Sequence, residues 1–203
     1  HARIRAASPH VFAALILAAS YDQQEADTSV EQRILLASAL EMLHVALGVH
    51  RLLVDSAAVT LDKSFIGSDI LAGDYCFGRA ARMAAQTDNP RIVAIFSRAL
   101  QGVSEAHLRT LFEDRPTDRS SVVAPGFDIL VRSGVTAGLE LSNIAVCCGQ
   151  TILDLAEHIA VRRQRSPQAP FSFEPALLTS LPAPHRERWL ALQDLLSGLT
   201  PGD

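Results

Sequence analysis

Lysine is almost missing from this 203-residue chain: of its 18 basic residues only Lys63 is a lysine, and arginine carries the rest. There is no Lys/Arg-rich block, and the formal net charge is −4, so the electrostatic footprint of a nucleic-acid binder is absent. Aromatic residues are scarce as well, at 5%. Cysteine is limited to Cys76, Cys147 and Cys148, an odd set with two neighbours and no C-x-x-C spacing. That pattern excludes an even disulfide framework and the common zinc and redox-pair arrangements. It leaves small buried hydrophobes in a reducing compartment. The longest apolar run, Val11–Ala19, falls far short of the ~20 residues that span a bilayer, and it lacks signal-peptide flanks. A cytoplasmic protein without a membrane span is the expectation. The chain opens on His1 rather than Met, which leaves residues upstream of it open.

Alternating apolar–polar stretches of strand length and internal repeats are also missing. Alanine and leucine dominate, and 48% of the residues are hydrophobic, a mix that favours helix over sheet. The length suits one sizeable core. Ser8-Pro9 reads as the start of a helix over 11–20. Ser29 and Gln32 stand in capping-box spacing ahead of a long segment, about 28 to 58, in which Leu36, Leu40, Leu43 and Leu47 recur on one face. That segment is apolar nearly all round, as a central buried helix is. A helix follows from about Phe65 to Gln86. Asp88-Asn89-Pro90 then punctuates the chain and restarts a helix that runs to about Glu113. Residues 115–121 read as a loop. Further helices are expected over 127–149, 151–163 and 186–198. Five prolines between 166 and 184 mark the best linker candidate.

Catalytic signatures are not found. The chain has no G-x-S-x-G and no cysteine beside a plausible base. Glu157 and His158 are adjacent, so they diverge on a helix, and they lack H-E-x-x-H spacing. His44 and His50 lie near opposite faces of the long helix and cannot share a metal unaided. No catalytic and no metal-ligating residue is assigned. Asp55 reads as a solvated or salt-bridged carboxylate, and both histidines as core or cavity-lining side chains.

Two segments nevertheless carry a recognisable pattern. Glu41-Met-Leu-His-Val-Ala-Leu-Gly-Val-His-Arg-Leu-Leu-Val-Asp55 resembles the active-site helix E-L-I-H-T-A-S-L-I-H-D-D-x-x-D of the trans-isoprenyl diphosphate synthase (polyprenyl synthetase) family. Asp69-Ile-Leu-Ala-Gly-Asp-Tyr-Cys-Phe-Gly-Arg-Ala80 resembles that family's V-L-A-G-D-Y-L-F-A-R-A helix. Weaker likenesses follow: Ser104-Glu-Ala-His107 where the family has E-G-E, and Val135-Thr136-Ala137 where a K-T-A triplet would begin a helix. Residues 155–164 resemble F-G-E-H-L-G-x-A-F-Q. The likeness spans roughly 5 to 164. It implies an all-α, isoprenoid-synthase-like helical bundle, shortened at its C-terminus, with residues 1–165 as the bundle. Residues 166–203 form a Pro-rich segment and closing helix of the same domain.

The departures fall on the chemistry. The family's synthases ionise an allylic diphosphate with Mg²⁺, a hard cation held by clustered carboxylates, while Arg and Lys neutralise the remaining phosphate charge. Here Arg51 and Leu52 stand where the paired aspartates belong, and only Asp55 matches the third. The arginine pair falls near Thr60 and Leu61, the K-T-A lysine becomes Gly134 or Val135, and Arg165-Ser-Pro-Gln168 replaces the second acidic motif. Arg5 is a partial match to the amino-terminal phosphate-binding segment. Arg5, His50 and Asp74 are thus the cavity- or phosphate-facing candidates, and no cofactor is expected because the Mg²⁺ ligands are largely lost. The resemblance implies a non-catalytic or regulatory subunit of a heteromeric isoprenyl diphosphate synthase, forming a homodimer or a heterodimer with a catalytic partner. The small residues of 73–85 are candidates for that interface, or simply for close packing within one subunit. The alternatives are an active prenyltransferase with an atypical site, and a scaffolding protein that binds an apolar or prenyl ligand.

Overall fold

The apolar spacing of the sequence becomes eight helices and no strand among the described residues. The computed structural model describes residues 11–20, 27–56, 63–112, 126–142, 146–165 and 171–198, with the side chains at 27–28, 51–56, 63–66, 110–112, 146–147, 163–165 and 198 outside that description. The helices are α1 (Val11–Ala19), α2 (Asp27–Ser56), α3 (Lys63–Gln86), α4 (Pro90–Phe112), α5 (Phe127–Glu140), α6 (Val146–Arg165), α7 (Pro175–Thr179) and α8 (Ala183–Gly198).

Helix α2 is the spine. It pairs most extensively with α3 and also packs on α1 and α5, while α4 links α3 to α5, α6 lies on α5, and α8 returns to α1. On α2 the stripe Ala39, Leu43, Ala46 is fully buried, and His50 continues it at helical spacing. On α3 the inward stripe is Gly73, Phe77, Ala80 and Ala84, continued by Thr87 just past its end; Ala80, Ala84 and Thr87 are fully buried. Small residues on both stripes let the two helix axes approach closely. Gln32 Nε2 donates to Thr87 O at 2.7 Å at one end of this pair, and His50 meets Gly73 at the other. The helices therefore run antiparallel. The stretch Ser29–His50 is long and apolar enough by length and composition to cross a membrane. One side of it packs on α1, α3 and α5, where Arg33, hydrogen-bonded to the Ser29 carbonyl at 3.1 Å, is buried, while Ile34 and Val45 are exposed.

The break between α3 and α4 follows from local chemistry. Thr87 Oγ1 donates back to Ala84 O at 2.7 Å, Asp88 takes a left-handed turn with φ 51°, and Asn89 Oδ1 accepts from the Arg91 backbone N–H at 3.0 Å. Pro90 then sits in the first turn, where its missing N–H costs nothing. Helix α5 starts at Gly126, φ 80°, where a Cβ would also press on Val103 at 3.0 Å; only glycine suits that position.

Three expectations are corrected. The helix expected over 127–149 ends at Glu140, because Ser142 Oγ bonds the Leu139 carbonyl at 2.9 Å and turns the chain. Gly149 lies inside α6 instead. Val135-Thr136-Ala137 sits in the second half of α5 rather than opening a helix; Val135 and Ala137 are core, and Thr136 Oγ1 bonds Arg132 O. The described part of the Pro-rich stretch is packed, not a linker: Phe171, Phe173, Leu178 and Leu181 are buried, and α8 begins at Ala183 with Pro184 in its first turn.

Candidate functional site

The two segments that carry the resemblance meet at the His50 end of the α2–α3 pair. The His50 imidazole lies directly over Gly73: any Cβ there would collide with Nε2 and Cδ2. Phe77, one turn further along α3, meets the imidazole edge-on with ring centroids 5.1 Å apart. Asp74 Oδ1 stands 3.7 Å from His50 Nε2, beyond hydrogen-bond range, and Nε2 is buried with no hydrogen-bond partner among the described residues. The Asp74 carboxylate is largely in solvent, where a contact of this length is weak. Of the sequence candidates, His50 and Asp74 are thus brought together. Arg5 and the side chains of Arg51, Leu52 and Asp55 lie outside the described residues, as does their relation to 164–168.

The positions at which the resemblance would place Mg²⁺ ligands, 51, 52, 55 and 165–168, lie outside the described side chains, and the His50–Asp74 seam is not itself such a site. One imidazole and one exposed carboxylate are not the oxygen cluster a hard cation requires. No group of three His, Cys, Asp or Glu side chains is placed to hold a metal among the described residues. The arrangement at this helix junction is one of ring packing and a weak charge contact.

His44 points elsewhere, its ring 4.9 Å from that of Phe12 on α1, and burial lowers its pKa from the ordinary 6.5. One turn earlier, Glu41 Oε1 accepts the Ala13 backbone N–H at 2.9 Å. Ala13 lies in the first turn of α1, whose N–H groups have no partner within the helix, so α2 caps α1 across the bundle. Sequence reasoning missed this cap because the partners are far apart in the chain. Glu157 and His158 diverge as adjacent helical residues must. Glu157 reaches Arg132 at 3.9 Å, while His158 Nε2 lies 3.2 Å from Ser172 O.

Helix α3 has a second, outward face. Leu71 is 71% and Tyr75 68% exposed, with Ile70 beside them, and Gly78, Ala81, Arg82 and Ala85 continue the stripe into solvent. The small residues expected to mark an interface or an internal contact therefore divide. Ala80 and Ala84 pack inward, while Gly78, Ala81 and Ala85 face out. Elsewhere a shallow, open groove of about 300 Å³ lies between α1 and α8, lined by Leu17, Ala18, Arg188, Leu192 and Leu195. No protein-family model, no curated protein and no solved structure significantly matches this chain.

Proposed function

We propose that this chain is a polyprenyl-synthetase-like subunit without catalysis of its own, which pairs in the cytoplasm with a catalytic isoprenyl diphosphate synthase and shapes that enzyme's product cavity. The observation that carries the reading is the division of α3. The residues most like the prenyl-synthase pattern, 69–80, seat Gly73 against His50 on one side and leave Leu71 and Tyr75 in water on the other. A bundle that keeps the packing half of the pattern, with Arg51 and Leu52 at the metal-binding half, is suited to assembly. Large exposed apolar side chains grouped on one helix face mark protein–protein contacts.

The test is direct. The purified chain, given allylic diphosphate, isopentenyl diphosphate and Mg²⁺, yields no product. Mixed with a catalytic synthase from the same cell, it co-elutes and changes the length of the product. Turnover by the chain alone would establish the atypical prenyltransferase in its place.

A further inference from the structure

Helix α2 holds two consecutive residues of α1 with two side chains one turn apart. Glu41 Oε1 accepts the Ala13 backbone N–H at 2.9 Å, and the His44 ring packs on Phe12 with centroids 4.9 Å apart. A helical side chain leans over the turn N-terminal to its own Cα, so the His44 imidazole leans toward the turn that carries Glu41, three residues earlier. One carboxylate thus has two claimants. The first is the opening turn of α1, whose N–H groups lack partners inside the helix; the second is an imidazole that becomes a cation on protonation. The elements packed against this part of α2 add few charges. Between Val11 and Ser20 no side chain titrates. Helix α5, whose Phe127 meets Phe12 at 5.5 Å, brings Asp128 in its first turn. The His50–Asp74 contact with α3 lies on a different face of α2.

We infer that Glu41 and His44 form an acid-operated latch on α1: with His44 neutral the carboxylate caps the Ala13 N–H, and protonation of His44 draws it back along α2 to the imidazolium, leaving the first turn of α1 uncapped. Burial lowers the His44 pKa, the sign expected of an imidazole that does not already hold the carboxylate in this geometry. The latch is therefore closed at neutral pH and opens in acid. Ala14, in the same turn, also lines the open groove against α8, so uncapping loosens one wall of that groove. The inference does not depend on the proposed function.

Solvent exchange of the Ala13 amide, measured by NMR on the full chain at about pH 7.5 and about pH 5 and corrected for the intrinsic rate, tests the latch. The fully buried Ala80 on α3 serves as the reference for general acid destabilisation. In the wild type Ala13 loses protection roughly five- to tenfold on acidification, as for one lost hydrogen bond, and Ala80 loses less. His44→Phe keeps a ring on Phe12 and removes the proton site. Glu41→Gln keeps an acceptor for the Ala13 N–H without the charge that attracts an imidazolium. Both variants should hold Ala13 protection constant relative to Ala80, and circular dichroism checks that each is folded. Wild-type protection that stays level or rises in acid, as a carboxylate bridging both groups would give, overturns the inference. So does an equal loss at Ala80, or a loss in His44→Phe as large as in the wild type.

Discussion

The α2–α3 seam and the C-terminal corner solve the same packing problem with opposite materials. The seam is made of Ala39, Ala46, Gly73, Ala80 and Ala84, and it buries apolar surface by bringing two backbones together. The corner uses scarce aromatics: Phe171 and Phe173 meet edge-on at 4.8 Å, and Phe173 meets Trp189 at 5.6 Å. Backbone ties hold the non-helical residues 171–174 onto α8, through Phe173 N–H to Gln193 Oε1 at 2.7 Å and Ser197 Oγ to Phe171 O at 2.7 Å. One region has no room to grow, and the other has no small substitute for what fills it. The seam should therefore fail on enlargement and the corner on truncation.

The largest expected effect lies in the corner. Trp189 is fully buried, and Trp189→Ala should cost about 3–5 kcal/mol of unfolding free energy in a urea titration followed by circular dichroism. Trp189→Phe sharpens the point. The indole Nε1 has no hydrogen-bond partner among the described residues, so losing that N–H gives up no bond there. The Phe variant should recover most of the loss. Equal losses for the two variants would show that the corner depends on a polar contact rather than on volume.

The seam should respond the other way. Gly73→Ala adds a single methyl, but it must displace the His50 imidazole, at an expected ~1–3 kcal/mol. Removing the obstacle in the double variant Gly73→Ala/His50→Ala should restore part of that stability, so the two substitutions are non-additive by about 1 kcal/mol or more. Strict additivity in the thermodynamic cycle would mean that His50 does not rest on Gly73.

How much of this was legible in the sequence depended on how local each signal is. The all-α class and the first four helices follow from leucine spacing and from Asp88-Asn89-Pro90, where the turn chemistry is complete within a few residues. The stop after Glu140 was missed because it depends on the Ser142 hydroxyl reaching back to Leu139 O, a weak signal beside the apolar run that continues past it. The packing of the Pro-rich stretch was missed for a different reason. Its prolines exclude a long helix, but the burial of Phe171 and Phe173 is decided by Trp189 and His158, which lie elsewhere in the chain. In the candidate site, spacing put His44 and His50 on different faces, as the structure has them. It could not supply the partner of either ring. The pairing of His50 with Asp74 needed the antiparallel register of α2 and α3, and the Glu41 cap needed the position of α1.

That cap is the next test of whether the α2 spine works by close fit. Glu41→Ala leaves the Ala13 N–H without its carboxylate and should cost ~1 kcal/mol, in the range of an ordinary N-cap loss. The loss should fall on α1, so amide exchange in 13–16 should accelerate more than in α3. Uniform acceleration through the bundle would argue that Glu41 contributes through general packing instead.

The smallest expected effect is a pH dependence that belongs to α2 as well. His44 is held against Phe12, and its pKa in the folded chain is lowered from 6.5 by burial, whereas in the unfolded chain it stays near 6.5. Between those two values the unfolded state binds more protons than the folded one, so stability rises with pH across that window. The stabilising preference for neutral imidazole is therefore fully present above about pH 6.5 and is lost as pH falls toward the folded-state value. His44→Phe keeps a ring beside Phe12 and removes the titration. Urea midpoints measured at pH 7.5 and 5.5 should thus differ less in this variant than in the wild type. Carboxylates elsewhere in the chain contribute equally to both proteins, so the difference between the two differences isolates His44. If the two proteins lose stability in parallel on acidification, the imidazole is not held neutral by burial, and the contact with Phe12 is looser than a ring-centroid distance of 4.9 Å implies.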